Sequence, residues 1–567
     1  MRWLAATGHR GTTPAGVFRL DLNGVDWAIL ISYFVVVLGI GFAAKRYVKT
    51  GLDYFLSGRS LPAWITGLAF IAANLGALEV IGQAANGAQY GVASVHFYWI
   101  GAVPAMVFLG IVMMPFYYGA RVRSVPEYLR LRFGHPTHFF NAATFAIATI
   151  LIAGVNLFAL ALVINLMLGW EIKVSVVIAA GIVLVYITLG GLSSAIYNEV
   201  LQFFVIMAAL IPLTIVGLHH VGGVDGLIDK VEAFKPLGAK GLHSWEGTGI
   251  GNVTNPLGAN WLAIVFGLGF VLSFGYWTTN FAEVQRALSA KNLSAARRTP
   301  LIAAFPKLFL PFVIIIPGLI AVVTVPKLGA PSGDLSYNNS IPILMHNLLP
   351  NGLLGLAVTA LLAAFMAGVA ANVTSFNTVV SYDLWQAYVR KDKPDEYYVR
   401  FGRIATVVGV LIAILTAFIA EGYSNIMNYI QALFSIFNAP LFATFIIRMF
   451  WKRMTPWAGL FGLIAGTLAA LIPKVLYDNG VIHYPTALDA SFYQAIYAFV
   501  ADAVVSVVVT LFTAPKPDDE LRGLVWGLTS TTADQGVVLE SDKVWYRNPF
   551  LLGGLALGIT IVLSILI

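Results

Sequence analysis

The chain contains no cysteine, which excludes a disulfide framework, a thiolate metal site and a cysteine nucleophile. Charge is scarce as well. Charged residues are 11% of the 567, against roughly 25% in a soluble domain, so most of the chain cannot face water. The nine histidines are scattered without HExxH or comparable spacing, which argues against a zinc enzyme. No G-x-x-x-x-G-K-[ST] is present, and transport driven directly by ATP is therefore not supported. The stretch before Trp27 carries arginines but no apolar core ahead of a small-residue cleavage site. It reads as a retained tail and not a signal peptide.

What fills the chain instead is hydrophobic side chains, 59% of the total, arranged in repeated runs of about 20 residues, the length that crosses a bilayer as a helix. The runs predict an all-α polytopic membrane protein with about 14 transmembrane helices. They are 27–44, 61–88, 95–118, 138–168, 173–190, 194–218, 259–280, 299–325, 351–388, 402–420, 424–450, 457–475, 491–513 and 549–567. In alternate loops, one set holds about 24 of the 34 Lys and Arg, which marks it as cytoplasmic and puts both termini outside. The net charge of +7 is spread over these short loops, so no nucleic-acid partner is expected. The polar segment 514–548 reads as a cytoplasmic connector.

Helix-breaking backbone inside a bilayer is tolerated only where protein buries it or a cavity hydrates it. The second run carries Asn74, Gly76 and Glu79 at mid-depth, and the seventh carries Gly267, Gly269, Ser273 and Gly275. Paired interruptions of this kind point to inverted repeats with a solute site between them, with the first helix unwound near Asn74 and the second near Gly275. Close helix packing is the competing reading of the glycines. Glu79, Glu199, Lys307 and Asp502 lie within runs, where an isolated charge costs roughly 2.5 kcal/mol or more. Asp502, far along the chain, is read as a helix-to-helix tie. Glu283, Asp383 and Lys474 lie near run ends, where long side chains reach the interface, and they receive no role.

The segment Tyr54-Phe55-Leu56-Ser57-Gly58-Arg59-Ser60-Leu61-Pro62 leads into Ala72-Ala73-Asn74, and Gly190-Gly191-Leu192-Ser193-Ser194-Ala195-Ile196-Tyr197-Asn198-Glu199 follows. Further on come Tyr276-Trp277 to Asn280, Gln285-Arg286, Lys291, Ala304 to Lys307, Tyr429-Ile430-Gln431 and Phe450-Trp451-Lys452. In order and spacing these resemble the solute:sodium symporter family, nearest to its sodium–galactose and sodium–glucose members. The resemblance covers about residues 27–474 and implies a core of five plus five inverted-repeat helices, 61–218 and 259–450. A leading helix 27–44 precedes it, after an extracellular tail 1–26, and trailing helices 451–567 follow it.

Carried over position by position, the resemblance implies a solute site of Asn74, Glu79, Lys307 and Gln431, with Tyr276 as an aromatic gate beneath the solute. Tyr98 and Ser273 complete it. Here the chain departs from the sugar carriers, which have Gln where Glu79 stands, Glu at Tyr98, Ser at Gly101 and Asn at Ser273. The family's sodium positions match Ala72, Leu75, Ala364, Ala367 and Gly368, and two of those, Ala367 and Gly368, lack the hydroxyls that a hard cation favours. Glu199 matches an acid on the ion's cytoplasmic route.

The reading is thus a symporter of a small polar solute, a sugar or related compound. Sodium is the expected coupling ion and no cofactor is expected. Proton-coupled or uncoupled carriage, or a transporter-like sensor, is the alternative. A membrane enzyme fits poorly, because an acid/base pair at mid-depth lacks the water that hydrolysis needs. The expected setting is the cell membrane, in contact with lipid, as a monomer. Glu79 and Lys307 are expected to pair across the cavity, since a paired buried charge is tolerable and a lone one is not.

Overall fold

The computed structural model describes residues 19–45, 57–119, 124–325, 327–330, 335–525, 528 and 542–567. Most of the tail 1–26, the motif residues Tyr54 to Leu56 and much of the connector 514–548 lie outside the described residues.

Helices dominate, as long apolar runs dictate where no water competes for backbone hydrogen bonds. In chain order they are α1 (Gly24–Lys45), α2 (Ala63–Asn74), α3 (Leu78–Val95), α4 (Phe97–Tyr118), α5 (Val125–Phe133) and α6 (His135–Leu168). They continue as α7 (Ile172–Val221), α8 (Gly223–Ala233), α9 (Ala263–Thr279), α10 (Phe281–Leu288), α11 (Leu293–Thr324) and α12 (Ser340–Leu348). The last six are α13 (Leu353–Val389), α14 (Asp395–Glu421), α15 (Ile426–Phe450), α16 (Pro456–Asp478), α17 (Ala487–Phe512) and α18 (Pro549–Leu566). One two-stranded ribbon, Thr248–Gly249 with Asn252–Val253, interrupts the loop before α9. Among the described residues, 11 helices are long and apolar enough to cross a membrane, or 13 when each of two bent pairs counts as one span.

Two expectations need correction. The runs 173–190 and 194–218 are not separated by a loop: helical structure continues through α7 for 50 residues, while its apolar stretches remain distinct as Ile172–Val185 and Leu192–Val221. A glycine lowers helix stability by only about 1 kcal/mol, so the Gly190-Gly191 pair does not end the helix. The second correction concerns Gly275, which sits within α9. A Cβ there would lie 3.0 Å from the Asn438 carbonyl oxygen; this glycine serves close packing of α9 on α15.

α6 and α13 are the most enclosed of the long spans and pack against each other. Around that scaffold, α11 packs on α2 and α3, α9 on α4, α15 and α17, and α10 on α2, α11 and α13. At one end of α13, Asp26 of α1 accepts hydrogen bonds from the Gly352 and Gly355 amides at 2.6 and 2.8 Å. A carboxylate there meets amides the helix cannot pair itself and the positive end of its dipole.

Candidate functional site

Both bent pairs owe their break to a local backbone cause. At the end of α2, Leu75 has ψ 37, leaving the helical region while its amide still bonds back to the Ile71 and Ala72 carbonyls. The chain resumes as α3 at 56° to α2. The Ala77 amide, freed by the break, is capped by the Asn156 side-chain oxygen at 2.8 Å. In the second pair, α9 and α10 meet at 50°. The hinge is Asn280, extended at φ −70 and ψ 111, whose side-chain oxygen accepts from the Ala282 amide at 3.0 Å and starts α10. Asn is a strong N-cap, which places this break five residues beyond Gly275.

Backbone turns widen to π-helical spacing at Leu78–Gly82, Phe97–Ala102 and Ala263–Ser273. Such turns are uncommon and gather at functional sites. These three, unlike the similar stretches Leu109–Met113 and Val379–Val389, line one cavity, together with Asn74, Tyr276, Trp277, Lys307 and Gln431. The room left for water centres is about 40 Å³, enough for a few waters at roughly 10–15 Å³ each.

Charge organises this cavity. Lys307 reaches from α11 to the Glu79 carboxylate at 2.8 Å and donates to Asn74 Oδ1 at 2.6 Å. Its Nζ also lies over the Tyr98 and Trp277 rings, 4.9 and 5.2 Å from their centroids, where the ring faces attract a cation. The expected pairing of Glu79 with Lys307 is therefore present, with both side chains 3% exposed. Asn74 passes the network on, its Nδ2 donating to the Tyr276 hydroxyl at 3.1 Å, and that hydroxyl donates to Glu283 at 2.6 Å. Beyond Glu283, Arg286 donates twice to Glu199, from Nε at 3.2 Å and from Nη2, and from Nη1 to the Ala282 carbonyl at 2.7 Å. A buried hydrogen-bonded line thus runs from the cavity to Glu283, which lies within electrostatic reach of the Glu199–Arg286 pair.

Gln431 faces the same cavity, its Nε2 on the Met427 sulfur at 3.3 Å and its Oε1 without a hydrogen-bond partner. Ser273 donates back to the Leu268 carbonyl at 2.8 Å, and a Cβ at Gly101 would meet its Oγ at 2.2 Å. The two small residues at 101 and 273 therefore occupy touching positions on α4 and α9. All seven solute-site candidates line this cavity. Asp502 stands apart, accepting from Thr444 at 2.7 Å and Ser506 at 3.1 Å. Through the Thr444 hydroxyl it ties the trailing helix α17 to α15 of the core.

The positions expected to hold sodium, Ala72, Leu75, Ala364, Ala367 and Gly368, are all buried. Gly368 faces Asn156: a Cβ at 368 would lie 2.1 Å from Asn156 Oδ1, and one at Gly76 would lie 2.4 Å from the same atom and 3.3 Å from Gly368 Cα. An amide oxygen therefore occupies the space where a hydroxyl-bearing side chain at 368 would begin. Sequence reading passed over Asn156, although a lone amide in the apolar run Ile150 to Leu162 is the signal that could have found it. Glu283 and Arg286 were missed for another reason. Hydropathy puts them at a span's end, but α10 turns back into the protein, and both are at most 2% exposed. Asp383 likewise is 3% exposed and bonds His138 at 2.9 Å.

The model of the sodium:solute symporter family matches residues 54–466. Sodium/glucose cotransporter 2 of Rattus norvegicus is 30% identical, over 89% of this chain and 81% of the rat protein. Sodium/glucose cotransporter 1 of Sus scrofa is 29% identical over 94% and 85% of the two chains, and sodium/glucose cotransporter 4 of Homo sapiens 29% over 90% and 79%. Among solved structures, a Na+-coupled sialic acid symporter in a substrate-bound outward-open state superposes with a TM-score of 0.72 at 18% identity, covering 87% of this chain and 99% of that one.

Proposed function

Because the chain belongs to the sodium:solute symporter family, we propose that it moves a small polar solute, a sugar or a related compound, by alternating access driven by a sodium gradient. One observation carries the reading. The breaks of two bent spans are bridged by a single polar cluster, Asn74 at the first and Tyr276 and Glu283 on either side of the second, joined at 3.1 and 2.6 Å. Discontinuous helices of this kind present backbone and polar side chains to a solute at mid-depth.

In this reading Asn74, Glu79, Lys307 and Gln431 hydrogen-bond solute hydroxyls, Tyr98 and Ser273 shape the wall, and Tyr276 closes beneath. Room for a few waters is too little for a sugar, so the walls part on binding and the Glu79–Lys307 pair opens or is bridged. Sodium is held by the Ala72, Leu75 and Ala364 carbonyls. The Asn156 amide oxygen stands in for the hydroxyls missing at Ala367 and Gly368, and Glu199 serves the ion's exit. The repeats are 61–218 and 259–450, the chain acts as a monomer in lipid, and both termini face outward.

The test is uptake into proteoliposomes holding the full chain, with radiolabelled sugars and polyols offered under an inward sodium gradient at matched pH. Accumulation that collapses when the gradient is removed is expected. A second reading, proton coupling, is favoured by the lost hydroxyls at Ala367 and Gly368. Uptake that follows a pH gradient and ignores sodium would establish it in place of the first.

A further inference from the structure

Five ionisable side chains are buried along the line from the cavity inward: Glu79, Lys307, Glu283, Arg286 and Glu199. Four form two ion pairs, Glu79 with Lys307 and Glu199 with Arg286, although Glu79 Oε1, on the far side of its pair, has no hydrogen-bond partner. Glu283 is the fifth. One of its oxygens accepts the Tyr276 hydroxyl, while the other is buried and has no hydrogen-bond partner. The residue is 2% exposed, and the cations around it, Arg286 and Lys307, each engage another carboxylate. With all five ionised the line holds one surplus negative charge; with Glu283 neutral it balances.

We propose that Glu283 is a proton-binding site on the transport path, and that a proton bound there releases Tyr276 and opens the cavity on the Arg286 side. A metal ion wants a shell of several oxygens, whereas a proton needs one, and one free oxygen is what Glu283 offers. The Tyr276 hydroxyl is clamped from both sides, accepting from Asn74 and donating to Glu283. A bond to an ionised acceptor is roughly twice as strong as a neutral one, so protonation loosens the clamp on the α10 side. The titratable groups facing Glu283 are Tyr276 from α9, Arg286 from α10 itself, Glu199 from α7 and Lys307 from α11, with Glu79 of α3 behind Lys307. The opening of the cavity rests on the transporter reading, but its readout requires neither solute nor sodium.

Since the chain has no cysteine, Leu272→Cys in the cavity wall creates a unique thiol. A small impermeant methanethiosulfonate is added from the Arg286 side of sided proteoliposomes. Taken relative to Leu272→Cys/Glu283→Gln, which corrects for the thiol's own ionisation, the labelling rate rises about tenfold per unit fall in pH above the Glu283 midpoint. The Glu283→Gln background labels as the low-pH state throughout, and Tyr276→Phe, which removes the same bond, does the same. Identical pH profiles with and without Glu283 overturn the proposal. Where Glu283→Gln does not fold, a Tyr276→Phe background that keeps the pH dependence overturns it instead. Uptake that ignores sodium would sink the sodium reading and leave this result standing.

Discussion

Removing the Lys307 ammonium strands the Glu79 carboxylate in a cavity closed to bulk water. Breaking a buried pair on one side costs about 3–5 kcal/mol, more than replacing both members does. Lys307→Met is therefore expected to lower the melting temperature in detergent by several degrees, and Lys307→Met/Glu79→Gln to recover most of it. A double variant as unstable as the single would show that the ion pair is not the source of the loss. Glu79 and Lys307 were legible in the sequence because each stands alone in an apolar run, where charge is expensive. Glu283 was not, because its neighbourhood depends on the direction α10 takes after Asn280, and that direction is a backbone property which composition does not record.

The same division holds for whole elements. Apolar run length located the spans, and the breaker residues located the first bend at Asn74. The second bend was displaced because a glycine can equally mark close approach, and the atoms across from Gly275 belong to α15, distant in sequence. The contact between α6 and α13 is of that kind too, since nothing near Gly368 in the chain announces Asn156. Gly368→Ser, which would return a hydroxyl, drives a Cβ into Asn156 Oδ1 and is expected to cost about 1–3 kcal/mol, the usual penalty of overpacking. Asn156→Ala relieves that clash but also uncaps the Ala77 amide, so the two effects are separated by a double-variant cycle, in which Gly368→Ser is expected to lower the melting temperature less in the Asn156→Ala background than alone. An equal loss in both backgrounds would place the clash elsewhere.

For the whole molecule, the uneven spread of Lys and Arg is the only guide to orientation, as hydrophobicity is blind to which side is which. An impermeant maleimide added to intact cells is expected to label Asp21→Cys and Ile567→Cys but not Lys391→Cys, which lies in the basic loop after α13 and is exposed. Labelling of Lys391→Cys from outside would invert the topology. The seat of Asp26 on the Gly352 and Gly355 amides fastens α1 to the least exposed helix of the scaffold. In a carrier that works by rocking one bundle against another, α1 then travels with the stationary frame, so a fluorophore fixed near its start serves as a reference point and not as a reporter of the stroke.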